Sequence, residues 1–148
     1  MGPADTLRAY FAAYWNGGDV DAFERYVHPD AGIVGTIAGE PIGREDVLAL
    51  NETFRAMFAE ARFTLPHVIE AGEAASSPVM GECTLPDGRT KVPVLGVTFC
   101  LVREGRIVRD YTRFDSHEVL IAAGRADPQA WLEALSTPRV APDAVHRA

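Results

Sequence analysis

The stretch from Lys91 to Asp115 constrains this chain most. It reads KVPVLGVTFCLVREGRIVRDYTRFD, two apolar-rich runs around the turn Arg103-Glu104-Gly105. Runs of this kind predict two long strands joined as a hairpin. Strand side chains alternate between faces. Tyr111, Arg113 and Asp115 therefore share one face, and Val108, Asp110, Thr112 and Phe114 share the other. A phenol, a guanidinium and a carboxylate in line at the end of an apolar hairpin mark the first face as the candidate for chemistry. The same face also reads as a solvated strand surface carrying an Arg–Asp pair, which contributes little.

A hairpin of this length needs a sheet and a covering layer. The chain has 148 residues, of which 47% are hydrophobic and 24% charged. That suits one soluble domain with a real core. The formal charge of −7 is dispersed along the chain. It argues against nucleic acid, which needs clustered Lys and Arg, and against anionic membrane surfaces. There is no apolar run of roughly 18 residues, so no membrane span is expected. Two isolated cysteines, Cys83 and Cys100, fall in predicted strands. With an opening that does not read as a signal peptide, they are expected to be free thiols in a reducing, cytoplasmic interior.

Taken in order, Asp5 or Thr6 caps a first helix with Leu7, Tyr10, Phe11 and Tyr14 on one side. Asn16-Gly17-Gly18 stops it. Asp19 starts a short second helix over Val20, Phe23 and Val27, which His28-Pro29-Asp30 ends. A short strand follows over residues 31–37, then the turn-rich Gly39-Glu40-Pro41-Ile42-Gly43. A third helix begins near Arg44, with Val47, Leu50, Asn51, Phe54 and Phe58 as its inner stripe. Asn51 on that stripe is either satisfied by nearby backbone or a ligand contact. Residues 62–69 alternate as a strand, with Phe63, Leu65, His67 and Ile69 on one face. Residues 77–85 form another, and Pro86-Asp87-Gly88 turns into the long hairpin. Ser116 caps a short helix, Asp127-Pro128 starts a last one, and residues 137–148 are a loose tail behind a single domain over residues 1–136.

Helices segregated from an antiparallel meander give an α+β fold. The expected form is a cone-shaped, barrel-like curved antiparallel sheet with three N-terminal helices packed on its concave side. An apolar pocket inside such a cone is the usual kind of site for a small hydrophobic molecule.

The residues 10–23, Tyr-Phe-Ala-Ala-Tyr-Trp-Asn-Gly-Gly-Asp-Val-Asp-Ala-Phe, resemble the opening of the nuclear-transport-factor-2-like superfamily. His28-Pro29-Asp30-Ala31, Gly43-Arg44-Glu45-Asp46-Val47 and Glu104-Gly105-Arg106-Ile107-Val108 with Phe114-Asp115 follow in the superfamily's order. The pattern is most similar to the polyketide-cyclase-like (SnoaL-like) branch and covers roughly residues 5 to 122. Relatives include ring-closing aldol cyclases, epoxide hydrolases and ketosteroid isomerases. The resemblance implies the aspartate ending the last strand, Asp115, as acid/base, and a homodimer through the outer sheet face, where Val97 and Phe99 are left apolar. Of the Asp-Arg-Asp set of the epoxide hydrolases only Asp115 has a counterpart, with Glu82 as the nearest second carboxylate. The residues of the steroid isomerases have none.

The expected function is therefore a cofactor-free cyclase or isomerase acting on a small hydrophobic carbonyl compound. Asp115 and Arg113 would be catalytic, the arginine steadying an enolate oxygen or holding the aspartate. Tyr14 and Tyr111 would donate to a carbonyl, and Asn51, Phe54 and Phe63 would line the substrate. His67 is either a core histidine or a proton shuttle to Asp115. An epoxide-opening enzyme would need Asp115 with Glu82 or His67. A non-catalytic binding or dimerisation module is the third reading. No metal is expected, because the histidines and cysteines lack ligand spacing.

Overall fold

Proline and glycine set many of the element boundaries. The computed structural model describes residues 1–34 and 43–136. Gly2 precedes α1 (Pro3–Tyr10), with proline at the first helical position, where its missing N–H costs nothing. The helix then widens into a π-helical segment, Phe11–Asn16. The Gly17 N–H closes it on the Ala12 carbonyl at 2.9 Å. Gly18, at φ +70°, turns the chain away in a conformation that glycine adopts freely. Next comes α2 (Asp21–Tyr26), which runs directly into β1 (Val27–Val34). The strand thus begins at Val27 rather than Ala31 and includes His28-Pro29-Asp30. The remainder expected to residue 37, and the turn over 39–42, lie outside the described residues.

The third helix, α3 (Arg44–Ala56), buries Val47 and Asn51, with Phe58 just beyond its end. The single strand expected over residues 62–69 is two: β2 (Glu60–Thr64) and β3 (Ile69–Ala71). They part around Pro66, which has no N–H for a ladder. The meander continues through β4 (Ala74–Thr84), β5 (Lys91–Arg103) and β6 (Arg106–Phe114). Two helices close the described chain, α4 (Ser116–Ala122) and α5 (Pro128–Ser136).

One curved, six-stranded sheet results, in the order β1-β6-β5-β4-β2, with β3 also on β4. The meander pairs antiparallel, as the sequence predicts. The exception is β1, which runs parallel to β6, with Ile33 beside Asp110. No hairpin joins these two strands, so nothing local imposes the antiparallel sense.

The concave face carries the helical layer. There α1 lies on β4 and β5, the π-helical segment on β2, and α2 and α3 on β1. Leu7, Tyr10, Phe11, Tyr14 and Phe23 meet Val79, Val94, Cys100 and Ile107 in one core. Alternation on β5 fixes the two faces. Val92, Val94, Thr98, Cys100 and Val102 are buried, while Leu95, Val97 and Phe99 stay exposed on the convex side. Both cysteines are free thiols and buried. Among the described residues, no helix is long and apolar enough to cross a membrane.

Candidate active site

Cross-strand register assembles the concave wall row by row. Ala75, Cys100, Asp110 and Ile33 stand beside one another on β4, β5, β6 and β1. The next row is Ser77, Thr98 and Thr112, and the next Val79, Gly96 and Phe114. Gly96 makes room for this packing: a Cβ there would lie 2.3 Å from the Arg113 carbonyl and 3.0 Å from the Phe114 ring. Gly81 does the same for Phe63, whose ring would lie 2.5 Å from an added Cβ.

The freed rings form an aromatic wall. Trp15 packs edge-on against Phe63 at 5.7 Å and Phe114 at 5.6 Å. Phe54 stacks on Phe114 at 6.3 Å. Trp15, Phe54 and Phe114 are each only partly buried, so the wall keeps an accessible side. The π-helical segment and Tyr10 before it aim four aromatic residues at this interior. Tyr10 and Tyr14 stack at 5.3 Å, one turn apart on the helix. Arg55 of α3 donates to the carbonyls of Tyr14 and Trp15 and lies over both rings. It occupies carbonyls at a helix end that would otherwise lack donors.

Asp110 is the carboxylate on this wall. Burial pushes its pKa up to about 6, and a hydrogen bond from Thr112 opposes the rise. No ion pair to it is present among the described residues. Tyr10 stands near enough that the Asp110 charge adds to burial in raising the phenol well above its usual range. Burial raises the Tyr14 phenol as well, against the opposing bond from Asn51 and the charge of Arg55. Asn51 Nδ2 donates to the Tyr14 hydroxyl at 2.9 Å. With an acceptor site on that oxygen filled, the phenol proton is left for another acceptor.

Of the residues singled out from the sequence, Tyr14, Asn51, Phe54 and Phe63 come together on the concave side. The others do not. Arg113 and Tyr111 lie exposed on the convex face, where Tyr111 packs beside Phe99 at 5.8 Å. Asp115 is exposed and caps α4 by accepting from the His117 N–H at 3.3 Å. It takes the role expected of Ser116, and it lines a shallow cleft with Pro93, Leu95 and Glu118. No ion pair joins Arg113 to Asp115 among the described residues. Glu82 points outward and pairs with Lys91 at 2.6 Å. His67 sits exposed in the connection after Pro66, because the strand that would have aimed it inward is broken there. The partners expected for an epoxide-opening site are thus apart from one another and off the concave wall. Asp110, Thr112 and Trp15 stand on this wall and were not among the candidates drawn from the sequence, which had Tyr10 only as a core residue of the first helix. The signal was a lone carboxylate sharing a strand face with Val108 and Phe114.

A model of the SnoaL-like domain matches residues 7–110, ending on the carboxylate just described. The chain belongs to the SnoaL-like family. Solved SnoaL-like and related folds superpose well on it. IdmH, a candidate polyketide cyclase from Streptomyces antibioticus, is 24% identical with a TM-score of 0.73, over 84% of this chain and 99% of that one. A loop-truncation variant of IdmH is 26% identical with a TM-score of 0.72, over 80% of this chain and 97% of that one. AclR, a candidate hydroxylase from Streptomyces galilaeus, shares 16% identity at a TM-score of 0.72, over 88% and 91% of the two chains. No curated protein matches the sequence. Among the described residues of this SnoaL-like chain, no group of three or more His, Cys, Asp or Glu is placed to hold a metal ion.

Proposed function

We propose that this SnoaL-like protein is a cofactor-free cyclase or isomerase that moves a proton on a small hydrophobic carbonyl compound, with Asp110 as its acid/base. The observation that carries the reading is the Asp110 carboxyl on the concave wall, with its pKa pushed up to about 6. A carboxylate of ordinary pKa is a weak base toward carbon; raising it by roughly two units narrows that gap and keeps the group ionised near neutral pH. Ionised Asp110 takes a proton from carbon next to a carbonyl, so that the C–H pair becomes an enolate and Asp110 becomes the acid. The Tyr14 hydroxyl, set by Asn51, donates to the enolate oxygen. In a cyclisation the enolate carbon then attacks a second carbonyl carbon, and the new alkoxide takes the proton back from Asp110. Trp15, Phe54, Phe63 and Phe114 hold an apolar, planar substrate in reacting geometry.

The test is turnover of linear and polycyclic polyketone substrates by Asp110→Asn and Asp115→Ala variants. Loss of at least about a hundredfold in kcat is expected for Asp110→Asn, the usual scale for a general base. Asp115→Ala should keep the activity and lose only a helix cap. The reverse pattern would sink the proposal. Polyketide substrates are chosen because the candidate cyclase IdmH shares this fold.

A further inference from the structure

The concave wall holds a chain of hydroxyls that the reaction as written does not use. Thr98 on β5 is fully buried, and its Oγ1 lies 2.9 Å from Thr112 Oγ1 on β6. Thr112 Oγ1 in turn donates to Asp110 Oδ1 at 2.6 Å. A hydroxyl carries one proton. Since Thr112 gives its proton to Asp110, Thr98 must be the donor between the two threonines. The order is thus Thr98 to Thr112 to Asp110, with both protons directed toward the carboxylate. Ser76 Oγ donates to the Thr98 backbone carbonyl at 2.8 Å and so ties β4 to β5 at this row, outside the chain of hydroxyls.

We propose that Thr112 and Thr98 are positioning residues that fix Asp110 so that Oδ1 is held by the sheet and Oδ2 is the atom that exchanges the proton with substrate. The proposal rests on the reading of Asp110 as acid/base. Two effects follow from the geometry. The bond to Oδ1 holds the carboxyl orientation without a charged partner. A donor to a carboxylate also favours the ionised form, and a second hydroxyl behind the first polarises it further.

The groups facing Asp110 leave this role to the threonines. From α1 comes Tyr10, with Tyr14 and Arg55 of α3 acting on Tyr10 behind it. From β5 comes Cys100, whose thiol is pushed up to about 12, by burial first and then by Asp110. Tyr10 and Cys100 are neutral at working pH. The neighbouring stretch of β1, Gly32 to Val34, has no titratable side chain.

The experiment follows the Asp110 carboxyl by carbon NMR through a pH titration of the full chain, with Asp110→Asn to assign the signal. Thr112→Val, Thr112→Ser and Thr98→Val are compared with the parent, each checked for folding by its amide spectrum. Thr112→Val should raise the midpoint by roughly one unit or more, as loss of a bond to a charged group implies. Thr112→Ser should restore it, and Thr98→Val should shift it in the same direction by less. Where turnover is in hand, the acidic limb of kcat/KM should move with each midpoint. An unmoved midpoint in folded Thr112→Val overturns the proposal and leaves the threonines as a strand-pairing contact. If Thr112→Val does not fold, an unmoved midpoint in Thr98→Val does the same. This outcome is separable from failure of the acid/base reading. An active Asp110→Asn would remove the base while leaving the titration shifts in place.

Discussion

At the residue scale, Asp110 sets its own ionisation against the stability of the fold. Its folded pKa of about 6 lies above the ordinary value of 3.8. The folded state therefore binds the proton more tightly. Stability from this group is full below about pH 4, falls as pH rises through 4 to 6, and is flat above. Near pH 7 holding the half-buried charge costs on the order of 3 kcal/mol. Asp110→Asn should then unfold at higher urea concentration than the parent at pH 7, with little difference at pH 4. Equal midpoints at both pH values would remove the strain assigned to this carboxylate. The sequence pointed to Asp115 instead because charge clustered there with Arg113 and Tyr111. Alternation alone cannot say which strand face looks inward when β5 is apolar on both. Pro93, Leu95, Val97 and Phe99 compete on paper with Val92, Val94, Cys100 and Val102. Only the packing of α1 and the π-helical segment decides between them.

At the element scale, the π-helical segment is tied to the sheet by one side chain. Asn16 Nδ2 donates to the Phe63 carbonyl at 2.8 Å, and the Phe63 N–H donates to Asn16 Oδ1 at 2.8 Å. This clip occupies the free edge of β2 where an unpaired strand would otherwise be open. Asn16→Ala should lower unfolding free energy by about 1–3 kcal/mol, the usual effect of leaving such groups without partners, as read by denaturant titration. Gly96→Ala should likewise lower the melting temperature, because its Cβ would meet backbone rather than a movable side chain. Helix positions and the hairpin were legible from periodicity. The widening into a π-helix was not, because a shift from i−4 to i−5 bonding leaves no mark in apolar spacing. Nor was the break at Pro66, where the alternation of Phe63, Leu65, His67 and Ile69 carried straight through.

At the scale of the whole molecule, the convex sheet face carries a row of apolar side chains that no other described residue covers. Met80, Leu95, Val97, Phe99 and Tyr111 are exposed there. We propose that a second copy packs on this face, burying the apolar row through a two-fold contact. Leu95→Glu should then run as a monomer in sedimentation velocity at concentrations where the parent runs as a dimer. A monomeric parent would exclude the interface.

The order of the elements along the chain has a consequence during synthesis. The aromatic helical segment is made before the sheet: β2, with Phe63, follows within the first half of the domain, and β5 and β6, with Cys100 and Phe114, come last. From Asn16 to Phe114 the chain must lengthen through nearly the whole domain. At typical elongation of about 5–20 residues per second, Tyr10, Phe11, Tyr14 and Trp15 wait roughly 5–20 seconds before β6 completes the wall they pack against. The same side chains that shape the concave wall are thus apolar surface that the growing chain exposes until the sheet is complete.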